Sequence, residues 1–142
     1  MGGKDQRARD VYQRLLDEIG EAVILNDKDR YTENFLLPHS LQTLEKSFDI
    51  QTVLVLEDFF DKMVVRLKKL DVVELTRWCT VAEFIDAKTI RGCHETRLIN
   101  RNVVIVEDYI ALSTLTLVDG RWKVSSSQYA EPNPSIPTKV TE

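Results

Sequence analysis

The sequence predicts an α+β domain, with helices from its N-terminal half packed on one face of a curved sheet. Apolar residues recur at three- and four-residue steps through most of the chain up to about Leu70, the spacing of buried helix faces. From Val72 onward the period changes to two and continues to Tyr129, as in strands with one buried face. Asp119-Gly120 stands between two apolar runs and marks a tight hairpin, because both residues tolerate positive φ.

Val11, Tyr12, Leu15, Leu16, Ile19 and Val23 fall on one stripe and predict a helix over about the first 25 residues. "LNDKD" breaks that stripe. Asn26 or Asp27 caps a short second helix, which carries Tyr31 and Phe35 on one face and ends at Pro38. Leu37, His39, Leu41 and Thr43 alternate with Pro38, Ser40 and Gln42, predicting two short strands around a Glu45-Lys46 turn. Thr52 N-caps a third helix whose buried stripe is Val53, Leu56, Phe60, Met63, Val64, Leu67 and Leu70. Four strands follow, at about 72–86, 89–99, 103–118 and 121–129. The turns between them are Asp86-Ala87-Lys88, Asn100-Arg101-Asn102 and Asp119-Gly120. Strands this long require bending and predict bulges. The tail 131–142 holds three prolines and little apolar content, so a loose end or an arm on a neighbour is expected.

At 142 residues the chain is sized for one domain, with a core at about 5–130 and a flexible tail. A formal net charge of −4 argues against nucleic acid as the main partner, since phosphate binding needs a basic footprint. There is no apolar run of membrane-spanning length, so no membrane partner is expected. "MGGKDQRARD" is charged and unlike a signal peptide, which points to the cytoplasm. Cys79 and Cys93 make neither a disulfide framework nor a zinc spacing, and are expected to be reduced thiols. No histidine or carboxylate spacing supports a metal, and no glycine-rich phosphate loop or Gly-x-Ser-x-Gly elbow is present, so no cofactor is expected.

The hairpin "DGRWKV" and the segment "DKDRYTENFLLPHSLQT", taken with the order of elements, resemble the nuclear transport factor 2-like superfamily, also called SnoaL-like or cystatin-like α+β cones. "TIRGCHETRLI" and "SSSQYA" are similar to a bacterial subgroup of it without an assigned function. The resemblance implies a cone of curved mixed or antiparallel sheet. Three helices from the N-terminal half pack on its concave face, a pocket lies between them and the sheet, and the convex face commonly pairs two subunits. Its members include dehydratases, isomerases, polyketide cyclases, transport factors and association domains. Three functions follow: binding of a small molecule in a mostly apolar pocket, isomerase, dehydratase or cyclase chemistry on a small apolar substrate, and a dimeric interaction module.

Strand parity selects the residues to examine. Trp122, Val124, Ser126 and Gln128 share a face that is apolar at one end and polar at the other, as a pocket with a few polar anchors requires; the alternative is that Ser126 and Gln128 meet only water at the rim. Ile90, Gly92, His94, Thr96 and Leu98 share another face, and the small residues flanking His94 leave room beside it. His94 is the one candidate for catalysis, as acid, base or polar anchor, with an ordinary core role as the alternative. His39 lies on the Leu37 and Leu41 face and Tyr31 on its helix, and both join the candidate pocket. The resemblance also implies a buried Asp for proton transfer in the isomerases and dehydratases; Asp29 and Asp108 are the candidates, and neither maps onto that role. Thr76, Trp78, Thr80, Ala82 and Phe84 share a strip too apolar for water if it faces outward, which predicts a homodimer.

Overall fold

The change of period near Val72 divides the molecule, a computed structural model that describes residues 2–44, 46–101, 104–106 and 110–129. Before it come α1 (Gly2–Ile24), α2 (Lys28–Thr32), β1 (Phe35–Gln42), β2 (Ser47–Ile50) and α3 (Val53–Lys69). After it come β3 (Val72–Asp86), β4 (Thr89–Asn100), β5 (Val104–Val106), β6 (Ala111–Val118) and β7 (Arg121–Tyr129). The tail, Asp108 and Tyr109 lie outside the described residues.

Local chemistry explains the joints. Asn26, at φ 57°, is the left-handed residue that ends α1, and the Asp27 N–H bonds back to the Ala22 carbonyl at 2.8 Å. The Asp27 carboxylate then caps α2 by accepting from the Arg30 N–H, so the two residues divide the work of one junction. The Thr52 hydroxyl accepts from the Val55 N–H and starts α3. Asp119 and Gly120 both take positive φ, 52° and 78°, in the β6–β7 hairpin. A Cβ at Gly120 would meet nothing within 4 Å. Gly120→Ala is therefore expected to cost only the backbone strain, about 1 kcal/mol in urea unfolding.

One boundary differs from expectation. Helix α2 stops at Thr32, and Phe35 opens β1 instead of continuing the helix to Pro38. Phe35 still meets Tyr31, with ring centroids 4.8 Å apart, so the contact survives the change of element. The strand expected over 103–118 is described as two pieces, β5 and β6, which pair in turn along the edge of β4 away from β3.

The sheet runs β2-β1-β7-β6-β4-β3, with β5 beside β4. All pairs are antiparallel except β1 with β7. Of the register shifts that bend the long strands, two decide which side chains face inward. In β3, Cys79 faces His94 and Val81 faces Cys93, so Thr80 is the extra residue. In β7, Val124 faces Leu115 and Ser126 faces Thr114, so Ser125 is the extra residue.

The concave face is covered by the helices. Tyr12, Leu16 and Ile19 of α1 and Leu56, Phe60 and Leu67 of α3 are buried against Ile90 and Leu98 of β4, Leu115 of β6 and Val124 of β7. Each such side chain contributes roughly 1.5–3 kcal/mol by leaving water. The bulge at Thr80 corrects the strip proposed for dimerisation. Trp78 does face outward, under the Arg97 guanidinium, but Ala82 is 3% exposed in the core and Phe84 packs on Trp122. The five residues therefore divide between two faces. No helix among the described residues is long and apolar enough to cross a membrane.

Candidate functional site

A cavity of about 630 Å³ lies between the concave sheet face and the helices. Leu16 and Ile19 of α1, Tyr31 of α2, and Leu56, Met63 and Leu67 of α3 form its apolar wall. The exposed Asp61, Lys62, Val65 and Lys69 border it on α3. The sheet side is different: a polar band made of Arg77, Thr96, His94, Ser113, Ser127 and Tyr129 crosses β3, β4, β6 and β7. Register makes the band continuous. Arg77 stands opposite Thr96, Ser113 opposite both Gly92 and Ser127, and Tyr129 opposite Ala111, which itself faces His94.

His94 is the best-defined member. It is 4% exposed, and the Tyr12 hydroxyl lies 2.7 Å from its Nδ1. Burial, helped by the positive charge of Arg77, pushes the imidazole down to about 3, so the ring is neutral at physiological pH. Burial also raises the Tyr12 phenol above its ordinary value, against a hydrogen bond from Ser113. A protonated phenol beside a neutral ring donates to Nδ1, which places the imidazole proton on Nε2. Gly92 makes this possible. The Tyr12 ring crosses directly over it, and a Cβ there would sit 2.6 Å from Tyr12 Cε2 and 2.7 Å from the Val81 carbonyl oxygen. The space expected beside His94 is thus taken by Tyr12 on the Gly92 side.

The comparisons with known proteins bear on the architecture that carries this site. No protein-family model matches the sequence, and no curated protein does. Solved structures match over most of the chain. An NTF2-like protein of unknown function from Shewanella oneidensis MR-1 superposes with a TM-score of 0.62 at 15% identity, covering 86% of this chain and 98% of its own. A domain of unknown function with a cystatin-like fold from Nostoc punctiforme PCC 73102 gives 0.65 at 9% identity, covering 94% and 82%. A protein named "Putative Scytalone Dehydratase" from Novosphingobium aromaticivorans DSM 12444 gives 0.62 at 9% identity, covering 91% and 87%. The chain has the NTF2-like fold.

Within this NTF2-like cone the other expected site residues divide. His39 is buried on the cavity wall, with Nδ1 3.4 Å from the Val124 carbonyl, and burial lowers its basicity. Tyr31 also lines the cavity. Gln128 and Ser126 do not, because the bulge at Ser125 reverses the parity set by Trp122 and Val124. Ser127 and Tyr129 point inward in their place, while Gln128 is exposed and donates to Gln42 at 3.0 Å. Trp122 keeps its inward parity but packs on Phe84 and borders a smaller recess with Val11, Leu15 and Asn34, so it does not line the cavity with His94. Asp29 is exposed at the start of α2. Among the described residues the one carboxylate on the cavity's lining is Asp61, which is exposed and paired with Lys28 at 3.0 Å. Among the described residues no three His, Cys, Asp or Glu side chains gather as metal donors. Cys79 and Cys93 are free thiols.

Five members of the site escaped sequence reading, among them Ser113 of β6. Tyr12 was legible only as part of the α1 stripe. Ser127 and Tyr129 depend on the bulge. Arg77 carried a signal, a cation sharing its face with Leu75 and Cys79, that alternation alone would have exposed.

Proposed function

We propose that the protein binds a small, mostly apolar molecule in this cavity. The observation that carries the reading is the make-up of its wall: apolar side chains from three helices and from Phe35, Leu41, Leu75, Leu98 and Val124 of the sheet surround one polar band. Protein interiors are close-packed, and a space this large matches the roughly 300–1,000 Å³ of small-molecule sites. A few convergent polar groups then fix orientation while the apolar wall supplies affinity.

The pairing of Tyr12 with His94, and the neighbour named as a dehydratase, favour a second reading as a proton-transfer enzyme. The electrostatics weigh against it. A group whose conjugate acid lies near 3 is a weak base at neutral pH, and general bases work best near the operating pH. The buried carboxylate that such chemistry would use is not among the described cavity residues. Binding without turnover is the better-supported function.

Titration with the neutral fluorescent probe N-phenyl-1-naphthylamine tests it. One saturable site per chain is expected, and Thr96→Trp, which adds an indole to the cavity's lining, should abolish it while the melting transition persists. Absent saturation, or undiminished binding in T96W, would contradict the proposal.

A further inference from the structure

Arg77 is a cation on the inward face of β3, and its situation is unusual. Its side chain lines the cavity, its Nε is buried, and among the described residues its guanidinium has neither an ion pair nor a hydrogen bond. Its neighbours on that face are Leu75 and Cys79, with Thr96 directly opposite and His94 opposite Cys79. The residue is half-buried, and even partial removal of an ionised group from water without a counter-charge is unfavourable. A lysine or histidine escapes that cost by losing its proton, whereas a guanidinium stays charged at any physiological pH. The neighbouring charges do not neutralise it. Asp61 is the one carboxylate among the cavity's described lining residues, and of the lining cations Lys62 is already paired with Asp58 at 3.0 Å. Asp61 is on α3 and already bonded to Lys28.

Resting on the reading of this cavity as a small-molecule site, we infer that its ligand is an organic anion: an apolar body bearing one carboxylate, which the Arg77 guanidinium receives. The planar fork of Arg77 matches a carboxylate in two parallel N–H···O bonds. Thr96 and His94, on the same face, are placed to donate to the second oxygen lone pairs, with the apolar tail lying against Leu56, Leu67 and Leu98. A neutral ligand would leave the half-buried guanidinium without a partner, and a dianion would carry excess charge into an apolar wall.

The test compares decanoate with its neutral isostere decanamide, each displacing N-phenyl-1-naphthylamine, on the full chain and on Arg77→Met and Arg77→Lys. Wild-type protein should bind decanoate at least ten-fold more tightly than decanamide. Arg77→Met should lose that preference while keeping its affinity for decanamide, and Arg77→Lys should retain part of it. R77M should melt no lower than wild type, since it removes a half-buried charge that has no counter-ion in the fold. Equal binding of the two ligands by wild type, or an undiminished preference in R77M, overturns the anion assignment and leaves the cavity reading intact. Failure of the neutral probe and both ligands to bind overturns both. An R77M protein that does not fold shows that the guanidinium serves the fold, and also overturns the assignment.

Discussion

Gly92→Ala should destabilise the protein by about 2–3 kcal/mol or more, the upper part of the range for overpacked cores. The added methyl would stand 2.6 Å and 2.8 Å from two carbons of the Tyr12 ring and 2.7 Å from the Val81 carbonyl oxygen. The ring is almost fully buried, at 1% exposure, and the carbonyl belongs to the adjoining strand, so neither gives way cheaply. Relief requires α1 to lift from β4, which also breaks the contact between Tyr12 and His94. Urea unfolding of G92A beside G120A separates packing from backbone strain. The first should lose at least twice what the second loses. A G92A midpoint equal to wild type would mean that Tyr12 does not lie over Gly92.

Acidification should remove stability through His94, and His94→Leu should suppress the effect. The folded imidazole titrates near 3 and the unfolded one near its ordinary 6.5. Below 6.5 the unfolded chain takes up a proton that the folded chain refuses, so stability is full above that pH and falls as pH drops toward 3. Between pH 7.5 and 5 this one group should cost on the order of 2 kcal/mol. His39, also held below its ordinary value by burial, shifts stability in the same direction. It is unchanged in H94L and cancels in the comparison. The Glu18 carboxyl, held down by Arg30, loses its contribution only as pH falls below the ordinary carboxylate range, beneath this window. At pH 7.5 H94L should cost about 1 kcal/mol for the lost hydrogen bond, with Tyr12 keeping Ser113. Parallel pH profiles for H94L and wild type would place His94 in solvent.

What the residues disclosed in advance follows a physical line. The helix caps at Asp27 and Thr52, the turn at Asp119-Gly120 and the inward face of β4 all follow from interactions within a few residues, and alternation reads them directly. β4 carries no extra residue, so Ile90 through Leu98 keep one parity over its length. β7 and β3 do not. One extra residue at Ser125 turns Ser126 and Gln128 away from the cavity, and one at Thr80 brings Ala82 and Phe84 into the core. Bulges were foreseeable from strand length, but their positions are set by how the sheet curves around α1, a relation between distant segments. The contact of Tyr12 with His94 spans 82 positions and has no local signature.

The central claim is that the cavity, and not the outer surface, receives a small apolar molecule. Intermolecular nuclear Overhauser effects between bound N-phenyl-1-naphthylamine and methyl-labelled protein test it most directly. The methyls of Leu56, Leu67 and Leu98, which line the cavity at 2%, 5% and 1% exposure, should give strong cross-peaks to the probe. Cross-peaks confined to exposed methyls such as those of Leu44, Leu54 and Val81 would contradict the account.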